Sequence, residues 1–311
     1  SQNLFAQNKP QPTQFDKFVN KPGIEWAAYA SDTVNFTNAG LNNLLLKRIS
    51  KNEIKASKPV ESRTAETDKI TYCPLDSIDQ AFYGDHIDIM MDSTGTQYFM
   101  KREVPEKDSS NFKRTEVTQI LYIEKGKLKS YIPFITPTLP VYMSTGKYIG
   151  ERFYFTSCYN YTYNNKPRNK SKLIFLMQTK KMISLATTQN DQLKEMYGQN
   201  LVEAIWPHVL KNKIDVFAIK DNWKLKREEL DISIAVNEPI LVPIYDSAGN
   251  VISYVVTSKP VDMNRFTDVQ LVQDWYYDHK RNKIYSNIKE LILFLKKDDK
   301  EMAPVLRLVF R

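Results

Sequence analysis

Two stretches far apart in the chain share one helical spacing of apolar positions. In LNNLLLKRISKNEIKA, residues 41–56, and LVEAIWPHVLKNKIDV, residues 201–216, apolar side chains recur at three- and four-residue steps. That is the period of an amphipathic helix. The stretches align without a gap: Leu41 with Leu201, Leu45 with Ile205, Ile49 with Val209. Lys51-Asn52 and Lys211-Asn212 follow as helix stops, and Ile54 and Ile214 lead into strands. Thr37 or Asn38 suits the N-cap of the first helix. Asn190 suits that of the second, whose reading DQLKEMYGQNLVEAIWPHVLKN predicts a break or kink at Gly198 or Pro207.

Other segments follow in the same order in both halves. Leu75-Asp76 answers Leu230-Asp231. MMDSTGTQYFM, 90–100, answers IYDSAGNVISY, 244–254, each an Asp-Ser-x-Gly turn between apolar runs. EVTQILYIEKGKLKSYI, 116–132, answers DVQLVQDWYYDHKRNKIYSNI, 268–288: an apolar–aromatic strand, a charged turn, then Lys-[Leu/Ile]-x-Ser-x-Ile. Turn chemistry alone explains each match but not their shared order, which points to a duplicated unit. In VISYVV, 251–256, apolar residues occupy both alternating faces, which predicts a central strand covered by a helix.

The predicted fold class is therefore α+β, with two tandem repeats, each a helix packed on an antiparallel sheet. Residues 1–30 read as an extended N-terminal tail and 31–158 as the first repeat. Residues 159–189 read as a basic, tyrosine-rich linker with an extra strand over LIFLMQ, 173–178, and 190–311 as the second repeat.

Composition narrows function more than it narrows fold. The chain has 311 residues, 42% of them hydrophobic, and a formal net charge of +8, a balance that favours acidic partners without naming one. No acidic residue lies between Glu151 and Asp191, where Arg152, Lys166, Arg168, Lys170, Lys172, Lys180 and Lys181 cluster. No apolar run is long enough for a transmembrane helix. The polar start, SQNLFAQNKPQPTQF, reads as a mature terminus from which a signal peptide has been removed. Cys73 and Cys158 are too few for a disulfide framework and fit either two buried thiols or one bridge.

Catalytic signatures are sparse. His86, His208 and His279 lack partners at metal-ligating spacing, and Asp85-His86-Asp88 in GDHID reads as a solvated turn. There is no phosphate-binding glycine loop and no nucleophile elbow. Asp274 and Asp278 could serve as acid and base but read as surface groups. The expectation is a protein that is not an enzyme and takes no cofactor or metal. QDWYYD, 273–278, offers Trp275, Tyr276, Tyr277 and Asp278 as partner-binding residues, Trp and Tyr being common interface anchors. The competing reading sends Trp275 and Tyr277 into the core and leaves Tyr276 on the rim. An alternative function is polyanion or nucleic-acid binding, with Tyr159, Tyr161 and Tyr163 stacking bases beside Lys166, Arg168, Lys170 and Lys172. No nucleic-acid motif accompanies them, and an acidic protein surface is the better use of that charge.

FTDVQLVQDWYYDHKRNKIYSNIKELILFL, 266–295, resembles the strand–turn–strand signature of the GldN/PorN family of Bacteroidetes gliding and type IX secretion proteins. Trp275, Tyr276, Tyr277 and Asp278 match its aromatic–acidic run, with Asp274 near the acidic position. AIWPHVLKNKIDVF, 204–217, is similar to the family's helix and following strand. The first half matches more loosely, with Glu124 at the aspartate position and no tryptophan, and IEWAAYASDTVNFTN, 24–38, echoes the family's N-terminal segment. The family's final Cys-Pro element is missing, so a distant or duplicated relative is expected. The resemblance implies a periplasmic, outer-membrane-associated, non-catalytic subunit. It implies docking onto a GldK/PorK-like outer-membrane lipoprotein and self-association in a ring, with no nucleic acid.

Overall fold

The computed structural model describes residues 14–36, 40–59, 72–83, 87–91, 93–101, 114–142, 146–158, 173–185, 193–198, 200–227, 229–230, 240–257, 263–278, 280, 283–297 and 301–310. The architecture is mixed, with few helices and strands that pair antiparallel throughout the named ladders.

The first sheet is built on β1 (Ile24–Asn35), β5 (Arg114–Glu124), β6 (Lys127–Tyr142), β8 (Thr156–Cys158) and β2 (Ala56–Ser57), in that spatial order. β7 (Tyr148–Phe153) pairs with β6, and β10 (Leu193–Tyr197) lines the outer side of β1. The second sheet runs β9 (Leu173–Ser184), β14 (Phe266–Asp278), β15 (Lys283–Lys297), β16 (Glu301–Val309), β11 (Asp215–Ala218). Two hairpins stand apart, β3 (Ile87–Met91) with β4 (Gln97–Lys101) and β12 (Ile240–Tyr245) with β13 (Val251–Thr257). Read across each sheet from β1 and from β9, β1 and β9, β5 and β14, β6 and β15, β8 and β16, and β2 and β11 take the same places.

The two helices predicted from the spacing form, alongside α1 (Gln14–Val19) and α3 (Leu75–Tyr83), which that spacing does not predict. α2 (Gly40–Ser50) and α4 (Leu201–Leu210) each end in an asparagine with a left-handed backbone, Asn52 at φ 57° and Asn212 at φ 54°. Asn52 N–H donates to Ile49 O and Glu53 N–H to Arg48 O, both at 2.9 Å. Asn212 N–H donates to Val209 O at 2.9 Å and Lys213 N–H to His208 O at 3.0 Å, the same closure. Asparagine tolerates this conformation because its short polar side chain bonds locally. The hairpin turns agree as well, Gly95 and Gly249 both standing at φ 85°.

Four expectations are corrected. Residues 24–30, placed in the tail, form half of β1. They hide from an alternation search because the strand is buried on both faces. Trp26, Ala28 and Ala30 enter one core; Ala27 and Tyr29 enter another, under Phe15 and Phe18 of α1 (Gln14–Val19). The helix expected from residue 191 starts only at Leu201, because Asn200 caps it by accepting the Val202 N–H at 2.8 Å and residues 193–197 are strand β10. The extra strand runs beyond 178 to Ser184 and is a full member of the second sheet. β13 is not central: it belongs to an exposed two-stranded ribbon.

The picture of one helix on its own sheet gives way to an interlocked one. The core under α4 takes Val269, Leu271, Leu291, Leu293, Leu306 and Leu308 from the second sheet but Trp26, Leu121, Ile123 and Leu128 from the first. The core under α2 takes Val117, Ile132 and Ile135 from the first sheet but Leu176, Trp275, Tyr277 and Ile284 from the second. Each long hairpin thus inserts its tip beneath the other half's helix. Burying a large apolar side chain fully stabilises a protein by about 1.5–3 kcal/mol. The exchange makes each half depend on the other for part of its core.

Candidate functional site

The aromatic–acidic segment lies at the tip of β14. Alternation along a strand sends successive side chains to opposite faces, and here it divides the predicted set. Trp275 and Tyr277 point inward. Trp275 is fully buried, meets Phe36 edge-on at 5.9 Å between ring centroids, and donates its indole N–H to Thr179 Oγ1 at 2.8 Å. Burial raises the Tyr277 hydroxyl pKa above its usual value, with nearby charges contributing less.

Tyr276 faces the other way and is half-buried. Its ring meets Phe175 of β9 at 5.6 Å and 66° between planes, and its hydroxyl donates to Asp274 Oδ2 at 3.3 Å. Partial burial first, and the Asp274 carboxylate second, raise the Tyr276 pKa. Asp274 also accepts from Gln178 Nε2 at 2.8 Å and sits 3.7 Å from Lys289 Nζ. Asp278 is buried at the turn and accepts the Lys280 backbone N–H at 3.0 Å. The outer face therefore carries a hydrogen-bonded Asp274–Tyr276–Gln178 group, a nearby lysine and one exposed apolar neighbour, Phe175. The two aspartates, expected as surface groups, are instead buried and act as acceptors for neighbouring donors, and the ring pair offers a flat amphipathic contact.

Tyr159, Tyr161, Tyr163, Lys166, Arg168, Lys170 and Lys172 lie outside the described residues, as do His86 and His279. Two described members of the basic stretch are engaged inside the fold. Lys181 Nζ pairs with Asp32 at 2.9 Å and donates to Ser31 O at 2.8 Å. The Arg152 guanidinium lies 4.6 Å from the Phe82 ring centroid and donates to the Phe82 carbonyl. Cys73 is half-buried and packs against the core under α2. Among the described residues no group of three or more His, Cys, Asp or Glu could hold a metal ion. No described helix is long and apolar enough to cross a membrane.

Two polar junctions between the halves escaped the sequence reading. Glu25 of β1 bonds His208 of α4 through Nε2, and its other oxygen accepts the Gly126 N–H at 3.3 Å. Gly126 has φ 75°, and a Cβ there would lie 2.5 Å from His208 Nδ1, so only glycine fits this turn. In the buried interior, Gln119 of β5 and Gln273 of β14 exchange amide bonds, Gln119 Nε2 to Gln273 Oε1 at 3.3 Å and Gln273 Nε2 to Gln119 Oε1 at 2.9 Å. Ser130 donates to Gln119 Oε1 at 2.7 Å, and Ser286 accepts from Gln273 Nε2 at 2.6 Å. A sequence signal existed: each glutamine precedes a hairpin whose return strand carries the matched serine.

No curated protein matches the chain. The family model of the gliding motility associated protein GldN matches residues 168–309. That span opens just before β9 and closes with β16, and so encloses the whole second sheet and the aromatic tip of β14. Over this sheet, the chain is similar to the gliding motility associated protein GldN.

Proposed function

We propose that this chain is a non-catalytic assembly subunit of a gliding motility and type IX secretion apparatus. In this reading it works in the periplasm, docks onto an outer-membrane lipoprotein and self-associates in a ring. The observation that carries the reading is the coincidence of the GldN match with one complete sheet. The outer face of that sheet at the β14 tip supplies the lipoprotein contact, centred on Tyr276 and bordered by Lys289. Trp275 and Tyr277 support the contact from beneath by anchoring the tip in the core under α2. Asp278 shapes the turn beside it. The shared strand order, helix closures and turn glycines support the further reading that the two halves are copies of one unit. In that case the chain keeps a dimer-like core inside one polypeptide.

The test is Tyr276→Ala combined with Lys289→Glu, both on the outer face. Interface hot spots contribute about 2 kcal/mol or more, so association with the lipoprotein should weaken roughly 30-fold. The readouts are co-purification of the lipoprotein from native envelopes and spreading of colonies. A folded double variant with wild-type co-purification and spreading would refute the contact.

A further inference from the structure

The β12–β13 ribbon joins no other strand among the described residues. Its turn is well made: Asp246 Oδ1 accepts the Ala248 N–H at 2.9 Å and the Asn250 N–H at 2.8 Å. Its strands are uncovered. Val242, Ile244, Tyr245, Val251, Ile252, Tyr254 and Val255 are all exposed, Ile252 at 63% and Tyr254 at 60%. Side chains alternate between faces, so Val251 and Val255 present one apolar face and Ile252 and Tyr254 the other. Both apolar faces of the ribbon are therefore open to solvent, whereas monomers rarely leave large contiguous apolar patches uncovered. A two-stranded ribbon standing alone is marginal in water. Within 240–257 the only charge is Asp246, at the tip, together with Ser247 and Asn250. Such a polar leading end suits a protein edge and not a hydrocarbon layer.

The second sheet has a place for such a strand. β14 pairs with one side of β9 along its length, and no strand joins the other side among the described residues. In the first sheet the corresponding side of β1 is covered. There β10 adds antiparallel, with Ala27 opposite Tyr197 and Ala28 opposite Met196. The fold thus shows what covers a strand in this position: a short added strand from elsewhere. Ile174 and Phe175 stand exposed on β9, ready to meet apolar side chains of an incoming strand.

We propose that the β12–β13 arm of one molecule adds to the outer edge of β9 in a second copy. Donor and acceptor are different surfaces of one chain, so the contact is head-to-tail and propagates unless its rotation closes. The inference deepens the assembly reading above and rests on it. Its assay uses the purified chain alone, so its failure leaves the lipoprotein co-purification result standing, and the reverse also holds.

The experiment is sedimentation velocity on the full chain over a wide concentration range, with two exposed-site variants. Ile252→Glu with Tyr254→Glu removes the arm; Ile174→Glu with Phe175→Glu blocks the edge. The wild type should grow in mass with concentration and each variant should remain monomeric. The arm variant keeps its edge and the edge variant keeps its arm, so an equimolar mixture should form a 1:1 complex and stop there. The milder Ile252→Ala with Tyr254→Ala should weaken self-association by about 30-fold or more without adding charge. A monomeric wild type would overturn the proposal. So would an arm variant that associates like the wild type, or a mixture that stays monomeric.

Discussion

Replacing Gln119 or Gln273 with leucine tests the reasoning about the centre of the molecule. Gln119→Leu removes both bonds between the two amides. Gln273 keeps its bond to Ser286 at 2.6 Å but its Oε1 loses the donor from Gln119. Gln273→Leu leaves Gln119 with Ser130 at 2.7 Å and strands its Nε2. A buried polar atom left without a partner costs about 1–3 kcal/mol, so each single change should destabilise by roughly 2 kcal/mol. The double change removes both stranded groups and places two apolar side chains of similar size together. Its total should be no more than about 2 kcal/mol, where additivity requires roughly 4. The assay is urea unfolding of the four proteins, followed by tryptophan fluorescence, with a check that the slopes agree. Additive losses, or singles that unfold like the wild type, would refute the view that this pair joins the halves as one satisfied network.

Two further expectations follow from packing and titration. Trp275→Ala empties a fully buried site and removes the partner of Thr179, so it should cost about 3–5 kcal/mol in chemical denaturation; a loss under about 1 kcal/mol would place the ring outside the core. Burial, partly offset by Glu124, lowers the Lys21 pKa from 10.5 to about 8. Between pH 8 and 10 the unfolded chain binds more protons at this site than the folded one. Stability should therefore rise with pH there in the wild type relative to Lys21→Met, and thermal unfolding of both proteins at pH 7.5, 8.5 and 9.5 measures the difference. A constant difference over that range would contradict the assignment.

Much of the local structure was legible in the residues. The helix spacing, the Lys-Asn stops and the Asp-Ser-x-Gly turns depend on chemistry within a few residues of each position, and they fold as written. The resemblance of 266–295 to the GldN family was equally local, since it rests on consecutive aromatic and acidic residues. Three features were not legible. β1 gave no alternating pattern because both of its faces are buried. The 251–256 strand has the same two-faced apolar pattern yet lies exposed, because apolar faces state a need for cover without stating who supplies it. Alternation did separate Trp275 and Tyr277 from Tyr276, but it could not say that the inward pair enters the core under the other half's helix.

The sequence by itself determined helices α2 and α4 with their stops, the hairpin turns and the antiparallel pairing of the strands that flank those turns. Only the tertiary structure decided that the long hairpins exchange tips, that Gln119 meets Gln273 across 154 positions of chain, and that the β12–β13 arm stays uncovered while β9 keeps an open side. The physical reason is range. Propensity, capping and turn geometry act between neighbours along the chain, whereas burial and buried hydrogen bonds depend on which distant surface arrives.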